Sequence, residues 1–486
     1  MEDAMLYGRK MRRGAGGWAL LGVLACAGPA TAAPVLLEVP GLQAAFDARG
    51  QLTSLRRAGG PELLAASPDL VPLRFGIGVP VEGAAPKLLE FGSERARAVQ
   101  VEPVTTAADG TRSLRVRFAG FAVDGAPAGL AGLTAWVTAS LPANGESLSL
   151  RVGAEIAAPL TLEYVQGPLV PVAIAAESKL VTGLAKGGVY PNLTGWKEGA
   201  MISAAHPGNL AAQFAAAYAP DAGVVTHSRD AVGYPKTLIA RRAGPALQFT
   251  WRHSCLVSGR FEPSYDVVLT PLAATAGDSL TWHHAADVYA AWARTQPWSA
   301  VRYADRSDIP AWMKAGPSMV RFHRSWLARP ESIGRWLREY WQPLHGKEIP
   351  LIVAFWGWEH VESWVAPTYL PAYPGEAEFG AVVEAVKAAN GHAFLWPSGY
   401  HWTVTFGARE DGTFQWDDRA RWEAEGKAHT VVNRDGNLAV SPRPWLRGGQ
   451  NATLCPGDPW TRGWFDRIGL DCLATGADMV QVDQVV

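Results

Sequence analysis

Two hydrophobic patterns divide the sequence at about residue 280. Before that point, short runs of alternating apolar and polar residues are separated by turn-forming residues, as at 113–118, 133–137 and 147–152. Such alternation is typical of strands with one buried face, and no long helical period interrupts it. The pattern therefore predicts an antiparallel β-sandwich over residues 34–280.

From residue 310 onward, apolar runs alternate with amphipathic helical periods. The runs predicted to be buried strands cover residues 318–322, 349–358, 392–397 and 479–482. The predicted helices cover residues 331–344, 376–390 and 458–474, and one more at 283–294 lies in a connector over residues 281–309. Strands that alternate with helices and precede long loops favour a (β/α)8 barrel over an open sheet.

The predicted fold class is therefore a multi-domain β plus α/β protein. An antiparallel β super-sandwich is followed by the first half of a TIM barrel, with strands 1–4 only, over residues 310–486. In this interpretation the sequence is truncated at its C-terminus, because strands five to eight of the barrel would follow.

Composition argues against some partners and supports this division. The chain has 486 residues with 44 basic and 45 acidic side chains, which gives a formal net charge of -1. This balance offers no argument for nucleic acid or an anionic membrane as a partner. Only four of the 21 tryptophans precede Trp282, so tryptophan concentrates in the connector and the predicted barrel.

Residues 1–33 have the features of a cleaved signal peptide. A basic segment at 9–13 precedes an apolar segment at 18–27, and small residues follow. The protein is therefore expected to be exported to the periplasm or the outside, with lipid anchoring at Cys26 as a weaker alternative. No other run approaches ~18 apolar residues, so no membrane span is predicted in the mature protein.

Cysteine spacing gives no indication of a metal site. Cys255, Cys455 and Cys472 remain after removal of the signal peptide, and no two of them form a Cys-x-x-Cys pair. Three separate buried thiols are favoured over a bridge between Cys455 and Cys472. Neither a metal nor a cofactor is predicted.

Asp483 is the residue that points most directly to chemistry, because it follows the fourth predicted strand. In a (β/α)8 barrel, a carboxylate at the C-terminal end of a strand lies on the catalytic face. Retaining glycosidases use one carboxylate as nucleophile and a second, about 5 Å away, as acid/base. We expect Asp483 to be the nucleophile, although an aspartate here can also cap the next loop. No acid/base residue is assigned, and a later strand is expected to supply it.

Aromatic residues cluster after the second and third predicted strands, where a barrel forms the rim of its active site. Flat rings with polar edges suit sugar faces. The residues predicted to bind substrate are Trp356, Trp358, Glu359, Tyr400, Trp402 and Asp458. Structural packing is an equal alternative for the tryptophans, as capping or surface roles are for Glu359 and Asp458.

Three segments resemble the DUF6259 domain family, a glycoside-hydrolase-like family of bacterial proteins. Residues 349–358, which end Phe-Trp-Gly-Trp, and the Tyr-Pro at 373–374 resemble its second-strand motifs. Residues 454–460 resemble its Cys-Pro-x-x-x-x-Trp motif with one residue fewer. Residues 476–484 resemble its Gly-x-Asp-Gly-Val-Tyr-x-Asp-Gln motif, with Met479 and Gln481 in place of Gly and Tyr.

This resemblance covers roughly residues 283–486 and implies a barrel that acts on carbohydrate. By analogy with related barrels that act on α-linked sugars, it implies a nucleophile role for Asp483. The opening hairpin, residues 37–55, is similar in style and length to that of galactose-mutarotase-like super-sandwiches. Many bacterial polysaccharide-degrading enzymes carry such a domain ahead of a barrel.

The predicted function is that of a secreted bacterial glycoside hydrolase acting on poly- or oligosaccharide, with retention favoured. A non-catalytic carbohydrate-binding protein with an aromatic cleft and a transglycosylase are the alternatives. The sequence leaves open the sugar, the linkage, the stereochemical outcome and the oligomeric state.

Overall fold

The computed structural model describes residues 33–66, 71–346, 348–362, 364–407 and 416–482. The strands of the first region are β1 (Val35–Val39), β2 (Leu42–Phe46), β3 (Leu52–Arg57), β4 (Arg74–Val81), β5 (Ala84–Gly92), β6 (Ala96–Val101), β7 (Thr105–Thr106), β8 (Arg112–Phe121), β9 (Thr134–Leu141), β10 (Leu148–Ile156), β11 (Thr161–Gln166), β12 (Val170–Ala173), β13 (Lys179–Leu184), β14 (Val189–Tyr190), β15 (Met201–His206), β16 (Leu210–Tyr218), β17 (Ala222–Ser228), β18 (Lys236–Ala243), β19 (Ala246–Val257), β20 (Gly259–Phe261) and β21 (Val267–Ala273).

These strands form two large antiparallel sheets and one small one. Among the described residues, the small sheet is β1-β2-β3 and the seven-stranded sheet runs β15-β18-β19-β11-β4-β5, with β12 beside β19. The eleven-stranded sheet runs β14-β13-β16-β17-β21-β10-β9-β8-β6, with β20 and β7 at its margins. One hydrophobic core joins them, and it includes Phe75, Phe118 and Trp251. The prediction of antiparallel, sandwich-like sheets is confirmed.

The hairpin predicted at Gly50 joins β2 to β3. Gly50 has φ +76°, which side chains other than glycine rarely adopt. A Cβ there would lie 2.3 Å from Cγ1 of Val116, so glycine also allows the turn to pack against the core.

The second region contains eight helices and nine strands among its described residues. The helices are α1 (Trp282–Ala293), α2 (Ala311–Lys314), α3 (Arg324–Leu327), α4 (Pro330–Trp336), α5 (Gln342–His345), α6 (Glu376–Ala388), α7 (Arg419–Arg421) and α8 (Pro459–Ala474). The strands are β22 (Ser318–His323), β23 (Leu351–Trp356), β24 (Gly391–Leu395), β25 (His401–Thr403), β26 (Thr405–Phe406), β27 (Trp416–Asp417), β28 (Val440–Pro442), β29 (Gln450–Thr453) and β30 (Met479–Val480).

Four of these strands form the parallel sheet expected from the sequence, in the order β22-β23-β24-β30. A π-helical turn, Leu337–Trp341, joins α4 to α5. Helices α4, α6 and α8 pack on one face of the sheet in a second hydrophobic core that includes Ile333, Val382 and Trp464. This arrangement agrees with the predicted strands and helices. The prediction that the sheet is half of a barrel is not confirmed.

Residues 399–454, where the sequence predicts no helix or strand, contain short strands in their described part. Strands β25, β28 and β29 form a small antiparallel sheet, and β26 pairs with β27. The buried side chains of Trp402 and Val404 attach this segment to the second core. The apolar runs here are only two to four residues long, too short to produce a recognisable period.

Contacts among the described residues connect the two regions. Helix α1 packs against β16 and β17 through a cluster that contains Phe214, Val225 and Ala285. Arg434 lies in the segment between β27 and β28. Its Nη1 is 2.8 Å from Oε2 of Glu163, and its Nε donates a hydrogen bond to the Pro86 carbonyl. The predicted domain boundaries at residues 280 and 310 stay predictions.

Other sequence predictions can be compared only in part. The signal peptide and Cys26 lie outside the described residues, apart from residue 33. The three later cysteines are free thiols, so the bridge between Cys455 and Cys472 is not formed. No helix in the described part of the chain is long and apolar enough to cross a membrane.

An ion pair lies wholly inside the sandwich. Lys236 and Asp230 have fully buried side chains, and Nζ of Lys236 lies 2.5 Å from Oδ2 of Asp230. The carboxylate also accepts hydrogen bonds from the backbone N–H groups of Val232, Gly233 and Tyr234. Removing one partner of a buried pair leaves a charge without compensation.

We therefore expect Lys236→Met to lower the free energy of unfolding by about 3–5 kcal/mol, measured by chemical denaturation. Lys186→Met, at an exposed lysine of the same region, serves as the control and should change it by less than about 0.5 kcal/mol. Equal effects of the two substitutions would contradict a stabilising role for the buried pair.

Candidate active site

The carboxyl ends of the parallel strands carry a group of aromatic side chains. Side chains alternate along each strand, so Phe355 and Leu395 enter the core beneath the helices, whereas Ala354 and Phe394 face the other side of the sheet. Trp356 and Trp396 continue this second set at the ends of β23 and β24. In a parallel sheet these ends lie along one edge, so the two rings meet there.

Three tryptophans form a wall at this edge. The Trp356 ring is nearly perpendicular to the rings of Trp364 and Trp396, with centroid distances of 5.0 and 5.4 Å. The Arg321 guanidinium lies 4.8 Å from the Trp356 ring centroid on the same side of the sheet. The three tryptophans and Glu359 border a cavity of ≈ 10 Å³, which is room for about one water molecule.

Glu359 is the buried carboxyl group of this cavity. Its exposed fraction is 4%. Oε1 accepts a hydrogen bond of 3.1 Å from the backbone N–H of Trp364, and Oε2 has no partner in the described part of the chain. Burial raises the pKa of Glu359 to about 7, against smaller opposing effects of backbone hydrogen bonds and Arg324. A carboxyl group with this pKa can donate or accept a proton near neutral pH.

The backbone around Glu359 is held in an unusual conformation. Trp364 has φ +71°, which costs about 1–3 kcal/mol for a residue with a side chain. Its N–H is the donor to Glu359, so the carboxyl group and the strained residue hold each other in place. Strain of this kind concentrates at functional sites.

Arg324 fixes the loop that carries Glu359, and sequence reasoning missed it. Nη1 donates to the carbonyls of Gly357 and Glu359 at 2.9 and 2.6 Å. Nη2 donates to the carbonyls of His360 and Val361 at 3.3 and 3.1 Å. The guanidinium also lies 3.6 Å from the Tyr373 ring centroid. The only sequence signal was an arginine two residues after the strand predicted at 318–322, and that position alone does not reveal its partners.

Burial argues against substrate stacking on two of the predicted tryptophans. Trp358 is 1% exposed and stacks on Tyr369 with a centroid distance of 5.7 Å. Trp402 has no exposed surface, stacks on Trp464 and donates through Nε1 to Asp418. Neither ring has a free face for a sugar, whereas Trp356 remains half-buried at the edge of the sheet.

The remaining predicted site residues lie apart from the cavity. The Tyr400 ring packs on Phe465 of α8. Asp458 caps the start of α8 by accepting from the N–H of Thr461 at 3.0 Å, and it pairs with His429. The capping alternative for Asp458 therefore agrees with the structure. Hydrogen bonding at the helix N-terminus, above all to the Thr461 backbone, lowers the pKa of Asp458.

Asp483 lies outside the described residues. The chain still follows the sheet two residues earlier, where the Gln481 N–H donates to the Leu395 carbonyl at 3.0 Å. The predicted nucleophile therefore stays a prediction. The described residues contain no group of three or more His, Cys, Asp or Glu side chains that could hold a metal ion.

Comparison with known families agrees with the sequence resemblance. Residues 261–486 match the family described as "Domain of unknown function (DUF6259)". The resemblance identified from three motifs is thus confirmed for this part of the chain. No curated protein sequence matches the chain.

Solved structures of glycoside hydrolases share the fold. The α-N-acetylgalactosaminidase NagBb from Bifidobacterium bifidum, in complex with Gal-NHAc-DNJ, has a TM-score of 0.61 and 16% identity over 93% of this chain and 69% of its own. Its ligand-free form has a TM-score of 0.61 and 13% identity over 93% of this chain and 70% of its own. The α-galactosidase AgaA from Geobacillus stearothermophilus has a lower TM-score of 0.39, with 10% identity over 93% of this chain and 65% of its own. The likeness to NagBb shows that this chain shares its fold.

We expect Arg324→Ala to loosen residues 357–373, because the loop loses its shared hydrogen-bond donor. Hydrogen exchange of the backbone amides in this segment should accelerate at least about tenfold, while α6 and α8 stay protected. The control is Arg329→Ala, at an exposed arginine of the next turn. Unchanged exchange in Arg324→Ala would contradict the role given to this residue.

The pKa of Glu359 predicts how stability depends on pH. Folding raises this pKa from 4.5 to about 7, so its contribution to stability is complete below about pH 4.5 and is lost as pH rises through about 7. Glu359→Gln should remove a decline of about 3 kcal/mol across this window, measured by denaturation at each pH. Glu384→Gln, at an exposed position, should leave the profile of the wild-type protein unchanged.

Proposed function

We propose that the protein is an exported glycoside hydrolase that cleaves poly- or oligosaccharides with retention, using Asp483 as the nucleophile. The observation that carries the proposal is the aromatic cavity with the buried Glu359, at the carboxyl edge of a parallel sheet whose fold is glycoside-hydrolase-like. Catalytic groups of (β/α)8 barrels gather at this edge. In the proposal, β22, β23, β24 and β30 are strands 1–4 of such a barrel.

The alternation of side chains supports the choice of Asp483. Met479 joins the apolar cluster on the aromatic side of the sheet, whereas Val480 and Val482 pack against the core under the helices. Odd-numbered positions of this strand therefore face the side that bears Trp356 and Trp396. We expect the alternation to continue to Asp483, which would bring its carboxylate to the substrate side.

The groups have distinct proposed roles. Asp483 would attack the anomeric carbon, form a glycosyl-enzyme bond and displace the leaving oxygen, which a second carboxyl group protonates. Trp356 and Trp396 would bind the sugar through their rings. Glu359, largely protonated below neutral pH, would donate a hydrogen bond to a sugar hydroxyl. The acid/base residue is expected on a later strand.

The substrate to test first is an α-linked N-acetylgalactosaminide, because NagBb is an α-N-acetylgalactosaminidase. α-Galactosides and other α-linked sugars follow in the same panel.

Asp483→Asn in the full-length protein should reduce turnover of a cleaved glycoside at least about 10³-fold, because the amide cannot form the glycosyl-enzyme bond. Sugar binding, measured by titration of tryptophan fluorescence, should be retained. The control Asp466→Asn, at an exposed position of α8, should keep both.

Two outcomes would overturn parts of this proposal. Full turnover by Asp483→Asn would exclude the nucleophile assignment. Binding of sugars by the wild-type protein with no turnover of any glycoside would instead favour the carbohydrate-binding alternative.

A further inference from the structure

The seven-stranded sheet of the sandwich has a polar face turned away from the core. Phe75, Val165 and Trp251 point into the core. Their neighbours Arg74, Gln166 and Arg252 must therefore lie on the opposite face. The strand register places these three side chains in one row across β4, β11 and β19, because Gln166 is opposite Arg74 on one side and Arg252 on the other.

A cavity of about 560 Å³ lies over this face. This volume is within the range of ligand-binding pockets, roughly 300–1,000 Å³. Its charged lining residues are Arg74, Arg95, Arg241, Arg252, Glu90 and Glu94. Four positive and two negative side chains give the cavity a formal charge of +2.

The two acidic residues are already engaged, whereas two of the arginines are not. Glu94 lies 3.8 Å from Arg95, and Glu90 accepts a hydrogen bond of 2.6 Å from the Tyr164 hydroxyl. Arg74 and Arg241 are exposed and form no ion pair or side-chain hydrogen bond with any residue that the structure describes. Their charges are therefore available to an anionic group.

The Tyr164 ring lines the cavity. The Tyr164 ring lies directly over Gly76, where a Cβ would approach Cε1 of the ring to 2.3 Å. The Arg252 guanidinium lies 4.5 Å from the ring centroid, and its Nε donates to Oε1 of Gln166 at 3.1 Å. The absence of a side chain at Gly76 thus makes room for the Tyr164 ring. The contacts with Gly76 and Arg252 position this ring, and Gln166 positions Arg252.

We propose that this cavity is a second saccharide-binding site, specific for a glycan segment whose sugars carry carboxylate or sulfate groups. Guanidinium groups match such anions through paired hydrogen bonds. The mixture of Tyr164, the exposed Met201 and uncharged polar groups suits the ring and hydroxyls of a sugar better than a bare inorganic ion.

The position of the cavity agrees with a chain-like ligand. Arg434 reaches the same face of the sheet, because a Cβ on Gly78 would lie 3.5 Å from its Nη2. Arg434 belongs to the long segment that follows β24, the strand that contributes to the candidate active site. An acidic glycan bound at the sheet would therefore lie beside a loop of the second region. The binding site itself does not depend on hydrolysis at Asp483.

The test is calorimetric titration of the full chain with trigalacturonate, a sulfated trisaccharide and neutral maltotriose. The charged ligands should bind, and their affinity should fall at high salt. The affinity for maltotriose should be at least about tenfold lower than for the charged ligands. Arg74→Gln and Arg241→Gln should each weaken binding about tenfold or more. Arg57→Gln, at an exposed arginine of β3 outside the cavity, is the matched control.

Each outcome decides a separate point. Preference for the uronate or for the sulfated sugar identifies the anion, and either supports the site. Equal binding of maltotriose, no effect of both arginine substitutions, or tighter binding of inorganic phosphate or a short DNA strand would overturn it. Unchanged binding by Asp483→Asn would show that the site is independent of the proposed hydrolase, so the two proposals can fail separately.

Discussion

Parallel hydrogen bonding among β22, β23, β24 and β30 is the constraint on which the candidate active site depends. The register aligns Arg321, Ala354 and Phe394 with Met479, residues that are up to 158 positions apart in the chain. Because all four strands run in the same direction, their carboxyl ends and the loops that follow share one edge. Trp356, Glu359 and Trp364 come from one segment after β23, and the shared edge brings Trp396 and the Arg324 guanidinium to this segment.

Burial at this edge has two linked effects. The rings that exclude water from the cavity also remove solvation from Glu359, which raises its pKa to about 7. The same loop needs a cation to satisfy its converging carbonyls, and Arg324 supplies five hydrogen-bond donors in one plane. A lysine could not span carbonyls from four residues with fixed geometry. The site thus combines a desolvated carboxyl group with a guanidinium cation that donates hydrogen bonds to the backbone of the same loop.

The order of strands and helices could be predicted well, because hydrophobic periods of two and of about 3.6 residues are visible in the sequence. The sequence identified β22 to β24, α6 and α8, with the Asp458 cap and Pro459 at the first helical position. It also selected Trp356 and Glu359 at the edge. It could not separate Trp356 from Trp358, because exposure depends on packing by Tyr369, a residue outside the strand. The sequence did not indicate the role of Arg324 or the cavity over Tyr164, since both depend on contacts between segments distant in sequence.

The contact between Arg434 and Glu163 has a mechanical consequence. The sandwich and the second region are joined covalently through the segment that contains α1, and Arg434 adds a second, non-covalent attachment. A second attachment at a separate place restricts how the two regions can move relative to each other. Since this ion pair is partly exposed, we expect its contribution to the attachment to weaken as ionic strength rises.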